Sequence, residues 1–170
     1  MTALDTMALI WGIQESGNPK QANLREMQCR AAILIEMLDD DSEKICIPCI
    51  SVSELLVKVD DKDHAAFVAS LQKSFFCPSF DIRASVLAAK LYQQHKKLSP
   101  EEQTGRTTLG SDVKIIATAK IAGATAFYSN DKKCRKLATL AGMTARDLPT
   151  KHPDIYRDNE IKKRFGQPTD

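Results

Sequence analysis

Four carboxylates in this 170-residue chain, Asp5, Glu54, Asp112 and Asp131, stand where acids could work together. Asp5 follows the short segment 2–4, read as the end of a first strand. Glu54 lies six residues past Pro48, in the first turn of the helix expected after the second strand. Asp131 lies two residues past Ser129, at the end of the fourth expected strand, and Asp112 opens the helix that feeds that strand. A crossover helix runs antiparallel to the strand it feeds, so its N-terminus lies at the carboxyl edge of the sheet, where open α/β sheets place their ligands. All four acids are therefore expected to face one crevice. Carboxylates gathered in this way repel one another, and a hard divalent cation such as Mg²⁺ resolves the conflict by taking carboxylate and water oxygens. Such a site can activate water for in-line attack on phosphorus and stabilise the leaving oxygen.

Each acid taken alone has a plainer reading. Ser51-Val52-Ser53-Glu54 spells a capping box, in which Glu54 would only cap the backbone N–H of Ser51. Asp81, Asp112 and Asp131 at helix starts are each favoured by the helix dipole by ~0.3–1 kcal/mol. Asp81 is kept on this structural side, because it follows a strand expected at the margin of the sheet.

The elements that must position these acids follow from periodicity. Short strands are expected at 2–4, 44–48 (KICIP), 75–77, 125–129 and 143–145. Helices are expected after Asp5 (Met7, Leu9, Ile10 and Ile13), through Leu24, Met27, Ala31, Leu34 and Leu38, over 52–59 and 63–73, after Asp81, and over 111–122 and 131–141. Gly17-Asn18-Pro19 breaks the first of these and Gly142 ends the last; residues 98–110 read as a polar surface loop. Short apolar strands alternating with helices imply a mainly parallel sheet covered on both faces, a three-layer α/β/α domain. It is expected over residues 1–148, with 149–170 a polar basic tail containing Lys162-Lys163-Arg164.

Composition fits that picture: 43% hydrophobic and 27% charged residues are ordinary for one globular domain and argue against disorder or a fibrous repeat. No apolar run reaches the ~18 residues of a membrane span. The opening MTALDTMALIW has an acid and no cation, so a secretory signal is not expected. Five cysteines form no disulfide-like framework, and a cytoplasmic protein is the expectation. The net charge of +2 conceals an asymmetry: residues 1–80 hold 7 Lys/Arg against 12 Asp/Glu, and residues 81–170 hold 17 against 10. That split permits a polyanion-binding face.

The segments ALDTMALI, IPCISVSELL, FCPSFDIRASVLAAKL and SDVKIIATAKIAGATAFYSNDKKCRKLA, in that order, resemble a PIN domain, and among PIN domains the VapC-type toxin nucleases of prokaryotic toxin–antitoxin pairs. The resemblance covers residues 1–148. It implies an Mg²⁺- or Mn²⁺-dependent endoribonuclease leaving a 5′-phosphate and a 3′-hydroxyl. Asp5, Glu54, Asp112 and Asp131 would be its metal-binding acids, and Ser129 the hydroxyl that orients the site. It further implies an RNA substrate, a homodimer and an inhibitory antitoxin protein. The chain is longer than a compact toxin of this type, through the 98–110 segment and the tail.

Other chemistry is less well supported. Cys46-Ile47-Pro48-Cys49 has C-x-x-C spacing but no second pair and no nearby histidines, so two buried thiols at a strand end are expected in preference to zinc or redox chemistry. His64, His95 and His152 are read as lying on polar surfaces, and Trp11 as core or dimer interface. Met7 stands where a haloacid-dehalogenase-like phosphatase would need a second Asp, and no phosphate-cradling glycine loop is present. Lys114, Lys132 and Lys133, with Arg135, Lys136 and Arg146 behind them, either contact RNA phosphates or form the solvent faces of two amphipathic helices. A catalytically silent PIN-like module that binds RNA or a protein is the alternative to the nuclease. A redox protein using Cys46 and Cys49 is a third reading.

Overall fold

The computed structural model describes residues 1–13, 22–103 and 105–149. The break expected at Gly17-Asn18-Pro19, His152 and the basic tail from residue 150 lie outside them. Four parallel strands form one sheet in the order β2 (Ile45–Cys46), β1 (Thr2–Leu4), β3 (Ala126–Tyr128), β4 (Thr144–Arg146). The helices are α1 (Thr6–Ile13), α2 (Ala22–Asp40), α3 (Cys49–Leu56), α4 (His64–Ser74), α5 (Ile82–His95), α6 (Arg106–Ile121) and α7 (Lys132–Leu140).

Side chains alternate across a strand, and here that alternation splits the interior into two cores. Ala3, Cys46 and Phe127 face one core, completed by Ala84, Ala88 and Leu91 of α5, Val113 and Ile116 of α6 and Leu137 of α7. Their strand neighbours Leu4, Ile45 and Ile47 face the other, with Leu9 of α1, Ala31 and Leu34 of α2 and Leu55 of α3. A helical layer on each face confirms the expected α/β/α architecture. Burying a Phe127 or a Leu9 stabilises it by about 1.5–3 kcal/mol per side chain. Trp11 packs, partly buried, against the second core. Gly12 lets α1 approach α2 closely: a Cβ there would collide with Ile35 Cδ1 and lie 3.3 Å from the Ala31 carbonyl.

Three local expectations change. The strand at 75–77 shrinks to a single parallel bridge between Cys46 and Phe76. Pro78 has no N–H to extend the ladder, although its carbonyl still accepts from Cys49 N–H at 3.0 Å. α3 starts at Cys49, so Ser51 lies inside the helix and the Ser51–Glu54 capping box does not form. Ser51 is instead fully buried and accepts a hydrogen bond from Thr6 Oγ1 at 3.0 Å, tying α3 to α1. α6 starts at Arg106 and runs straight through Gly110, because Leu109 and Val113 bury a common stripe against α5 and the sheet. The loop expected over 98–110 is therefore shorter, with a 3₁₀ turn at Pro100–Glu102. Among the described residues no helix is long and apolar enough to cross a membrane.

Candidate functional site

Asp5 ends the β1 ladder, its N–H bonded to the Tyr128 carbonyl at 2.9 Å, and its own carbonyl accepts the Leu9 N–H that starts α1. Its carboxylate is pinned there. Ser129, fully buried just past β3, donates its hydroxyl to Asp5 Oδ2 at 2.7 Å. The same Ser129 Oγ accepts the Asp131 N–H at 3.0 Å, so one hydroxyl couples two acids that belong to different strands. Burial pushes the Asp5 carboxyl above its ordinary range; the Ser129 hydroxyl and the Met7 and Thr6 N–H groups oppose the rise, and Asp131 adds to it.

Asp131 caps α7, its Oδ1 accepting from Lys133 N–H at 2.7 Å and Cys134 N–H at 3.5 Å. The capping reading of this residue is realised. Glu54 is half-buried on α3, and its Oε1 accepts a hydrogen bond from Ser111 Oγ of α6. Asp112 sits in the second turn of α6, not at the helix start, so the dipole argument for it no longer applies. Its carboxyl is pushed up to about 7, by burial first and then by the charges of Asp5, Asp131 and Glu54. The structure thus brings Asp5, Asp131 and Glu54 within electrostatic reach of Asp112, and Asp131 within reach of Asp5.

The surroundings sort the remaining candidates. Lys114 and Lys132 are exposed. Lys133 is committed to the loop before α6: its Nζ donates to the Gln103 carbonyl at 2.7 Å, while Lys136 pairs with Glu102 at 2.9 Å. Arg135 donates to the Ser129 carbonyl at 2.6 Å and pairs with Asp147 at 3.4 Å, which makes it a brace for the site. Arg146 reaches the Tyr128 hydroxyl at 3.2 Å. Cys134 beneath the acids is held as the thiol by burial and by Asp5, Asp112 and Asp131. Asp81 caps α5 through Ala84 N–H at 2.8 Å, the structural role expected of it.

Two expectations are corrected. The C-x-x-C thiols are not a buried pair: Cys46 is buried and its thiol pushed up to about 12, mainly by burial, whereas Cys49 is exposed and donates to the Cys77 carbonyl at 3.6 Å. His95 is buried on the core face of α5, with its pKa lowered by burial and by Lys133, so it does not lie on a polar surface. Ser111 escaped sequence reasoning because its partner is 57 positions away and no periodicity links them.

The Asp5, Glu54 and Asp131 carboxylates accept from hydroxyl and backbone N–H groups, a donor set that suits a hard divalent cation in kind. Among the described residues no three His, Cys, Asp or Glu side chains are close enough together to form a complete metal cage. Mg²⁺ is commonly held through one or two carboxylates, waters and substrate phosphate.

The PIN domain family model matches residues 2–140, and the chain belongs to that family. No curated protein is similar to it in sequence. Among solved structures it is similar to VapBC2 from Rickettsia felis bound to a DNA fragment from their promoter, at 14% identity and a TM-score of 0.58, covering 87% of this chain and 98% of that one. It is likewise similar to DNA-bound VapBC from Salmonella typhimurium, at 16% identity and a TM-score of 0.57, with 87% and 98% covered. At such identities the likeness speaks for the fold.

Proposed function

We propose that this PIN domain is an Mg²⁺- or Mn²⁺-dependent endoribonuclease and acts as the toxin of a toxin–antitoxin pair. The observation that carries the reading is the convergence of acids at the carboxyl edge of the sheet, where Asp112 is half-buried with the charges of Asp5, Asp131 and Glu54 acting on it. A fold that only bound RNA or protein would have no need to hold four mutually repelling carboxylates together.

In this reading carboxylates of this cluster would hold the cation, which would supply Lewis-acid stabilisation of charge developing around the scissile phosphate. Ser129 keeps Asp5 and Asp131 at a fixed separation, and Arg135 fixes Ser129 in turn. Lys114 and Lys132, both exposed, would contact RNA phosphates, whereas Lys133 is held by the Gln103 carbonyl. The antitoxin part of the reading is supported by the solved neighbours, which are VapBC proteins.

Incubating the protein with unstructured RNA and Mg²⁺ or Mn²⁺ tests the proposal. Internal cleavage that stops on chelation supports it; RNA retention without metal-dependent cutting supports the silent module instead.

A further inference from the structure

Ser111 stands immediately before Asp112 on α6 and gives its hydroxyl proton to Glu54 Oε1 on α3. A serine inside a helix ordinarily turns its hydroxyl back to the carbonyl four residues earlier. Here the hydroxyl reaches across to another helix. A second serine holds a carboxylate in the same way: Ser129 Oγ donates to Asp5 Oδ2 and accepts Asp131 N–H. Ser129 thus couples Asp5 with Asp131, and Ser111 ties Glu54 of α3 to the helix that carries Asp112.

The choice of a hydroxyl has a chemical consequence. Glu54 has a long, flexible side chain and lies within electrostatic reach of Asp112, so repulsion and rotamer entropy both favour its swinging away into solvent. A lysine or arginine at position 111 would hold it more strongly, but it would also neutralise the charge that a cation needs. A serine orients the carboxylate and leaves its charge intact, as the outer partners of metal-binding carboxylates generally do.

We propose that Ser111 is a positioning residue that holds Glu54 in place for a divalent cation, an inference that rests on the metal-dependent reading of the site. Its contribution is to cation affinity and not to the stability of the fold, because the bond joins a half-buried serine to a half-buried glutamate at the crevice rim.

The test is a Mn²⁺ titration of the full chain, with free Mn²⁺ counted by electron paramagnetic resonance and urea unfolding followed in chelator. Ser111→Ala is expected to weaken Mn²⁺ binding by about 10–100-fold, with metal-free stability unchanged or slightly raised as Glu54 escapes its neighbours. Ser111→Thr, which keeps the hydroxyl, is expected to bind close to wild type. Wild-type affinity in Ser111→Ala, or a Thr variant as weak as the Ala variant, overturns the inference. Asp112→Asn separates the two levels: if it loses Mn²⁺ while Ser111→Ala keeps it, only the role of Ser111 falls. If neither variant changes Mn²⁺ binding, the metal-dependent reading falls with it.

Discussion

Ser129 and Asp5 are 124 positions apart in the chain and joined by a 2.7 Å hydrogen bond, with the Ser129 hydroxyl donating to the carboxylate. Asp131 N–H donates to the same oxygen at 3.0 Å. The end of β1 and the start of α7 are thereby locked together at the carboxyl edge of the sheet, and the spacing of two acids is set by a group that carries no charge.

Removing that hydroxyl leaves a buried carboxylate and a backbone N–H each short of a partner. Ser129→Ala is expected to destabilise the protein by about 1–3 kcal/mol, while Ser129→Thr retains most of the stability. Urea unfolding of the three proteins at one pH measures this directly. An alanine variant as stable as wild type would show that the bond carries little.

Asp112 predicts an unusual pH dependence for the metal-free protein. Its carboxyl titrates at about 7 when folded against the model-compound value of 3.8 when unfolded. Between those values the folded state holds a proton that the unfolded state has released, so the Asp112 contribution to stability is full below 3.8 and is lost as pH rises through about 7. Asp5, also raised, acts in the same direction. Stability in chelator is therefore expected to slope down with rising pH more steeply in wild type than in Asp112→Asn. The variant should be the more stable of the two above neutral pH. Equal slopes in urea titrations of the two proteins would contradict this.

Lys132 and Lys133 are adjacent but differ in employment, since Lys133 holds the Gln103 carbonyl and Lys132 is exposed. Lys132→Ala is expected to weaken RNA binding and reduce the salt dependence by about one phosphate contact, with the fold unaffected. Lys133→Ala is expected to leave that slope closer to wild type and to speed hydrogen exchange over residues 98–103. Binding measured at several salt concentrations, together with hydrogen exchange, separates the two. Identical behaviour of both variants would refute the distinction.

How much of this was legible in the sequence depends on whether the signal was local. Asp5 and Asp131 follow short apolar segments and open helices, and both lie where that pattern puts them. Asp112 was located correctly relative to the sheet although α6 begins at Arg106, five residues before the expected start at Ser111. Gly110 and the threonines hid a stripe that only tertiary packing of Leu109 reveals. The capping box that Ser51 and Glu54 spell does not form because α3 begins at Cys49, three residues before the helix start that the apolar pattern suggests. The edge strand at 75–77 was overread because a ladder ends where a proline lacks its donor, which apolar content does not show. Burial of His95 and the reach of Ser111 to Glu54 depend on partners from other helices, and spacing within one segment carries no trace of them.

The central claim, that four converging acids form a metal-dependent nuclease site, is tested most directly by Asp112→Asn. This change keeps the shape of the side chain and removes its charge from the middle of the cluster. In single-turnover cleavage of an unstructured RNA with saturating Mg²⁺ or Mn²⁺, the account predicts a rate at least about 100-fold below wild type in a protein that still folds. Cleavage by Asp112→Asn at the wild-type rate would contradict it.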